Sequence, residues 1–505
     1  MRVPFTIGYS EGRAKNRASG RLVNMFLEKG PPGDEGKIFL SACPGLKFWA
    51  DTGTGREIRG IYRSSPTRPK ADTPELLYVV SHDKLYQYEA DKTKTEIGTL
   101  KTLSGRVSMA DNGGELMIVD GPNGYIYNWN SEEFKRIKDR DFPGGRKVIY
   151  QDGYFIVSPT DTGQMNVSTL YDGTSWDALD FASAEGNPDN TMSIETDHRE
   201  LWNFGERSTS VWINTGAADF PFERIQGSFI EKGCGARDSV AKIDNGVLWL
   251  THERQVARAV GYSPQIVSTR QMDYEIANYG TTSDAFAFAY TFEGHPWYQL
   301  TFPSDGKTWV LDMATTLWHQ RSSWTDAHPD QQFRHRANCY TLFDNKHIVG
   351  DYRNGLIYEL LSTHYADYRR PVLKEFTINI PSDGIKRIVH KSLELEMEYG
   401  EGAYGDYMTD TEGKYVLDTD HNFVVVADNE TETSPRVYAL VDYSNDGWSW
   451  QGERMVKIGQ LGDYLFRAPM YKLGTSRQRS YRVRCSDPVD LALIGAHVEG
   501  DIERG

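Results

Sequence analysis

The chain has 505 residues, a formal net charge of −15, 39 % hydrophobic residues, 12 % aromatics and 47 glycines. That length supports two or three domains around a large core. The acidic balance excludes non-specific gripping of a DNA duplex over the whole surface, which needs clustered Lys and Arg; with no run of eighteen apolar residues, no membrane span is expected.

The first ten residues, MRVPFTIGYS, lack a basic-then-apolar signal pattern, so synthesis in a reducing cytosol is expected. The four cysteines, Cys43, Cys234, Cys339 and Cys485, are widely separated and read as buried thiols rather than a zinc site. Residues 1–36 are punctuated by Gly, Pro and charge and read as an extended N-terminal arm. Over Met1–Gly30 six basic residues stand against Glu11 and Glu28, a net of +4 in an acidic chain. Arg13, Lys15, Arg17 and Arg21 are therefore candidate contacts to an acidic partner, against the plainer reading of a solvated tail. Lys37–Ala42 and Lys47–Trp49 read as short strands around the turn Cys43–Leu46, placed as the early strand that completes the last blade of a closed ring.

From Glu75 to Tyr368 one hairpin unit recurs seven times. Taking Tyr86, Tyr127, Leu170, Trp212, Val256, Val310 and Tyr358 as anchors, the steps are 41, 43, 42, 44, 54 and 48 residues. A period of roughly 40–50 residues with several short strands per copy is that of a β-propeller. One blade cannot cover both its apolar faces, and stacking blades in a ring buries them. Residues 37–370 are thus expected to form a propeller of seven blades, with six as the alternative. The two wide steps imply longer loops, Ser323–Arg336 being one.

From Lys374 the pattern becomes plain alternation. In Ser392–Tyr399, Leu393, Leu395, Met397 and Tyr399 share one face. With further strands such as FVVVA, RVYALVDY and RSYRVRC, residues 371–505 are expected to be an antiparallel β-sandwich, making the whole chain all-β. Arg482 and Arg484 share a strand face and read either as a solvated face or as an ion-pair surface to another subunit.

Candidate chemistry is sparse. Asp418, Asp420 and Asn422 alternate as in a cation loop, but Phe423 and Asn429 stand where an EF-hand needs Gly and Glu. The tract Glu401–Ser434 holds nine carboxylates and only Lys414 as a base. Ser444–Trp450 resembles an Asp-box turn, but occurs once and reads as a plain hairpin turn. There is no G-x-S-x-G and no H-E-x-x-H. No catalytic residue, metal or cofactor is assigned.

The stretches RLVNMF (Arg21–Phe26), CPGL (Cys43–Leu46), GRVSMA (Gly105–Ala110), FERIQGSFIEKGCGA (Phe222–Ala236) and Tyr443–Glu499, in that order, resemble the packaged-DNA stabilization, or tail-hub, family of short-tailed bacteriophages. The resemblance implies a structural virion protein and not an enzyme. It implies a homohexameric ring below the portal–adaptor assembly, retaining packaged DNA and forming part of the ejection channel. Its partners would be the tail adaptor, neighbouring hub subunits and a needle or plug, with a tailspike or fibre as a further neighbour; DNA would pass without specific binding. Synthesis would be in the host cytoplasm. Two rivals differ in class. A phage-borne propeller glycosidase or depolymerase would need carboxylates paired at ~5–9 Å. A protein-binding propeller scaffold of the WD type would carry the WD and Gly-His signatures, which the repeats lack.

Overall fold

A computed structural model describes residues 2–3, 5–11, 20–30, 38–64, 75–183, 189–217, 220–324, 331–380, 386–398, 406–411, 414–419, 421–426, 436–460 and 466–502. Seven four-stranded antiparallel blades surround an axis. Blade 1 is Ile58–Arg63, Leu77–Ser81, Lys84–Tyr88 and Lys94–Thr99. Blades 2 to 6 begin at Ser108–Asp111, Lys147–Gln151, Thr191–Asp197, Ala241–Ile243 and Phe286–Phe292. Blade 7 is Ala337–Phe343, Lys346–Asp351 and Leu356–Leu361, and its fourth strand is Gly45–Asp51 from the start of the chain. The seven hairpins of the sequence are the second and third strands of each blade.

The second strand shows why the repeat reads as an unbroken apolar run. In Leu77–Ser81, Leu77 and Val79 enter the core shared with blade 7, whereas Tyr78 and Val80 enter the core shared with blade 2. Alternate residues therefore serve two different interfaces, and both faces are buried. Each of the seven interfaces has its own apolar cluster. The one joining blades 7 and 1, with Trp49, Ile58, Leu77, Phe343 and Ile348, closes the ring.

The 54-residue step is filled by Arg270–Ala277, the one helix among the described residues, capped by Thr269, whose side chain accepts from the Met272 N–H. Met272 and Ile276 bury its apolar stripe in the core between blades 5 and 6.

The C-terminal unit is a sandwich of two sheets. One runs Met25–Lys29, Ile38–Ala42, Ala492–Ile502, Ile388–Glu398, Phe466–Tyr471, with Arg2–Val3 also on Ala492–Ile502. The other runs Leu22–Val23, Lys374–Ile380, Arg479–Cys485, Arg436–Ser444, Gln451–Gln460, and joins blade 6 where Val23 pairs with Gln320.

Three expectations are corrected. The described parts of residues 1–36 are not a separate arm, for they supply strands to both sheets of the sandwich. Ile38–Ala42 runs in the sandwich, and only Gly45–Asp51 completes the last blade. FVVVA is not a sandwich strand: Val425–Val426 pairs with Asp406–Tyr407 in a small two-stranded insert. The sequence reading missed the edge strand Gln451–Gln460, whose first five residues are exposed and show no apolar alternation.

Ring closure depends on Gly45, where a Cβ would lie 2.0 Å from the His364 carbonyl oxygen and 2.5 Å from that of Ala366. Gly45→Ala should therefore push the closing strand off its neighbours and cost about 3 kcal/mol or more, read as a lowered denaturant midpoint at unchanged m-value.

Candidate functional site: the propeller–sandwich junction

The N-terminal segment crosses from the propeller to the sandwich, and its side chains are shared between them. Tyr9 donates its backbone N–H to the Trp318 carbonyl (2.7 Å), and its ring meets that of Trp309 at 4.5 Å inside the core between blades 5 and 6. Phe26 enters the core between blades 6 and 7, edge-on to Trp297 and His295 at 5.1 Å each.

Between them Asn24 is buried in a left-handed conformation, φ 52°, which asparagine tolerates better than most residues. Its side chain accepts from the Ser322 N–H (3.0 Å) and donates to the carbonyls of Ser322 (3.1 Å) and Leu373 (2.8 Å). Its backbone donates to Gln320 O and accepts from Cys43 N. One residue thus ties blade 6, the linker into the sandwich and the turn Cys43–Leu46. In that turn the Pro44 carbonyl accepts from the buried Arg321 (2.7 Å), which also meets His335 Nε2 at 3.0 Å.

The candidate contact residues fall into two groups. Arg13, Lys15 and Arg17 lie outside the described residues; on either side of them, Ser10 N–H donates to Gly20 O at 2.9 Å. Arg21, Arg482 and Arg484 serve the sandwich itself. Arg21 Nε lies 3.1 Å from the nearly buried Glu375 carboxylate, and its backbone exchanges hydrogen bonds with Thr377. Arg482 forks onto Asp442, with Nε at 3.0 Å, and lies 4.5 Å over Trp450. Arg484 bridges Asp442 (3.1 Å) and Glu453 across neighbouring strands. Bidentate pairs on a mostly shielded carboxylate fix geometry as well as charge.

A second clamp comes from the insert. The His421 ring lies tilted against Phe48 on the closing strand, centroids 4.0 Å apart, Phe423 stacks on His364 at 4.9 Å, and Arg369 pairs with Asp410 at 3.2 Å. The Asp418 loop is a turn in which Asp418 accepts from the Asn422 N–H. Among the described residues no group of three or more His, Cys, Asp or Glu could hold a metal ion, and no helix is long and apolar enough to cross a membrane. The four cysteines are free and buried. Asp446 accepts from the N–H groups of Trp448 and Ser449, forming a hairpin turn.

The propeller axis is obstructed. Arg106, ahead of the first strand of blade 2, donates to the Asn338 carbonyl in blade 7 (2.7 Å). It also lies 3.9 Å from Asp238, ahead of blade 5, and 4.2 Å over the Phe286 ring of blade 6.

The motifs singled out in the sequence therefore sit at crossings. RLVNMF and CPGL build the junction and GRVSMA supplies Arg106. Gly233 of FERIQGSFIEKGCGA has no room for a Cβ, which would fall 2.3 Å from Arg207 N. In the last stretch, the carbonyls of Asp487 and Val489 each hold the buried Lys374 amine at 2.8 Å.

Comparison with known proteins agrees with this architecture. The family model described as Bacteriophage P22 Gp10, beta-propeller, matches residues 1–365, and that described as Bacteriophage P22 Gp10, beta-sandwich, matches residues 379–501. The chain belongs to the bacteriophage P22 Gp10 family. It is a structural tail-hub protein, a component of the virion tail. No curated protein matches it. Similar solved structures include the WD40 propeller domain of Doa1 (11 % identity, TM-score 0.38, 62 % of this chain and 96 % of that one). Others are YCF48 bound to D1 peptide (13 %, 0.40, 63 % and 98 %) and BamB from Moraxella catarrhalis (10 %, 0.36, 67 % and 97 %).

Two predictions follow from the junction chemistry. Asn24→Ala removes the partner of a buried Ser322 N–H and puts a Cβ-bearing residue without a compensating side chain at positive φ, so it should cost about 3 kcal/mol. Asn24→Gly, free of the backbone strain, should cost about 1 kcal/mol less; urea melts of the two variants check both.

The second concerns acid. Burial, with Arg321 adding, lowers His319 to about 3; burial, with Lys47 adding, lowers His364 to about 4; burial, with Arg479 adding, lowers His390 to about 4. These folded values lie below the ordinary 6.5, so the unfolded chain takes up more protons as pH falls. The stability they contribute is complete above about pH 6.5 and is lost toward pH 4, by about 1.4 kcal/mol per pH unit for each histidine. His295 is raised by its hydrogen bond to Asp312 and acts oppositely, its contribution being lost as pH rises. His364→Phe should flatten the stability profile between pH 6.5 and 4.

Proposed function

We propose that this protein is the hub of a short-tailed phage, six copies forming a ring below the portal–adaptor assembly that retains packaged DNA until ejection. The observation that carries this reading is the junction. Asn24, Tyr9 and Phe26 weld two domains into one body, as a load-bearing segment under a pressurised capsid requires. The obstructed propeller axis supports a DNA path between subunits and not through any one of them. A wall with a net charge of −15 per copy lets a polyanion slide past without gripping it.

The partners in this reading are the adaptor above, neighbouring copies at the sides and a needle or plug below, with a tailspike or fibre as a further neighbour. Assembly takes place in the host cytoplasm. The ring contact is heterologous and closes by rotation. The loop bearing Arg13, Lys15 and Arg17 supplies the docking cations for carboxylates of the adaptor or a neighbouring copy. Arg21, Arg482 and Arg484 hold the frame that presents it. No catalytic step is assigned.

The test combines purified protein with DNA-filled heads that carry the adaptor but lack the hub. Wild-type protein should attach and leave the DNA nuclease-resistant. The variant R13E/K15E/R17E should melt like wild type yet fail to attach, leaving the DNA exposed. Normal attachment of the triple variant would reduce the loop to a solvated feature, whereas wild-type protein that does not protect the DNA would remove the hub reading itself.

A further inference from the structure

We infer that the propeller mouth at the N-terminal ends of the first strands is a docking cup for an acidic protein segment. All seven first strands line the axis and run in the same direction, so the residues just before them share one mouth. Among these are Arg106, Arg146, Arg237 and Arg334, of blades 2, 3, 5 and 7.

Arg106 is committed, as the bar across the axis. Arg146 and Arg237 are not, and Arg334 lies over the rings of Tyr352 and Phe286. Among the described residues neither Arg146 nor Arg237 donates a side-chain hydrogen bond or forms an ion pair, although Arg237 is half-buried. Arg334 is largely buried, and its Nη1 has no partner. Arg146 and Arg237 lie within electrostatic reach of each other, as do Arg106 and Arg334. The carboxylates within reach are Asp238 and Asp161 near Arg237 and Asp351 near Arg334, and Asp351 is already forked by Arg336. Guanidiniums of like charge, held apart by rigid blades, gain most from an anion that brings several acceptors.

The aromatic surfaces decide the class of anion. Phe286 is covered by Arg106 at 4.2 Å and Arg334 at 5.6 Å, and Tyr352 by Arg334 at 3.7 Å and Arg353 at 5.2 Å. Both of these rings are taken up by arginines and offer little to a stacking nucleic-acid base. What remains is N–H forks, which suit carboxylates, in a chain whose overall charge opposes DNA.

The experiment is fluorescence anisotropy on the full-length protein with a fluorescein-labelled hexaglutamate peptide, a labelled DNA single strand and a labelled duplex. The peptide should bind and be released by added salt. Binding should weaken about tenfold or more in R146A/R237A and be partly retained in R146K/R237K. Neither arginine donates a side-chain hydrogen bond or forms an ion pair within the described fold, so the double variant should melt close to wild type. If it does not, R237A alone gives the same reading. No peptide binding, or equal binding by wild type and R146A/R237A, overturns the proposal. So does DNA binding that the same substitutions abolish.

Discussion

The structure depends on a short N-terminal segment that must be in place before either domain is complete. Leu22 and Val23 pair with residues about 350 positions later, and Arg2 and Val3 pair with His497 and Ala496. Burying Tyr9 and Phe26 contributes on the order of 1.5–3 kcal/mol each, and the Asn24 hydrogen bonds, made away from water, are costly to break. Neither term is large, but both are spent at the one place where three elements meet. The segment therefore couples the two domains, and neither can loosen at the seam without exposing the other's core.

That arrangement has a kinetic consequence. The closing strand Gly45–Asp51 pairs with Leu356–Leu361, and Ile38–Ala42 pairs with Ala492–Ile502. Both pairings wait for chain made more than 300 residues later. Loop-closure entropy must be met before such non-local contacts form, so this topology is intrinsically slow to fold. The early-made strands present unpaired edges in the meantime. Such edges invite wrong pairing, and the charges at Glu28 and Lys29 on the edge strand Met25–Lys29 are of the kind that discourage it.

The parts legible in the sequence were those whose environment repeats. The second strand of each blade faces two cores, so its apolar run is continuous and recurs seven times. The sandwich strand Ile388–Glu398 buries Leu393, Leu395 and Met397 on one face and alternates accordingly. The N-terminal segment was illegible because its apolar residues answer to three neighbours in turn: Val3, Phe5, Leu22 and Met25 to the sandwich, Tyr9 to blades 5 and 6, Phe26 to blades 6 and 7. No period survives that. FVVVA misled for the opposite reason, since local β-propensity says nothing about which sheet receives the strand. Arg482 and Arg484 were placed on the right face, but composition could not reveal Asp442 between them.

The same distinction explains what the family motifs have in common. A hub performs its task by holding a shape. Its demanding residues are then glycines at close crossings, buried polar side chains that satisfy several carbonyls, and cations that bolt one element to another. Arg106 shows the logic. A guanidinium can reach a carbonyl of blade 7, a carboxylate before blade 5 and a ring of blade 6 at once, and Arg presents five donors in a fixed fork. Lysine, a point charge on a flexible stem, could meet one of these but not hold the angles between them. The bar across the axis is therefore a structural solution first, one side chain meeting three blades at once.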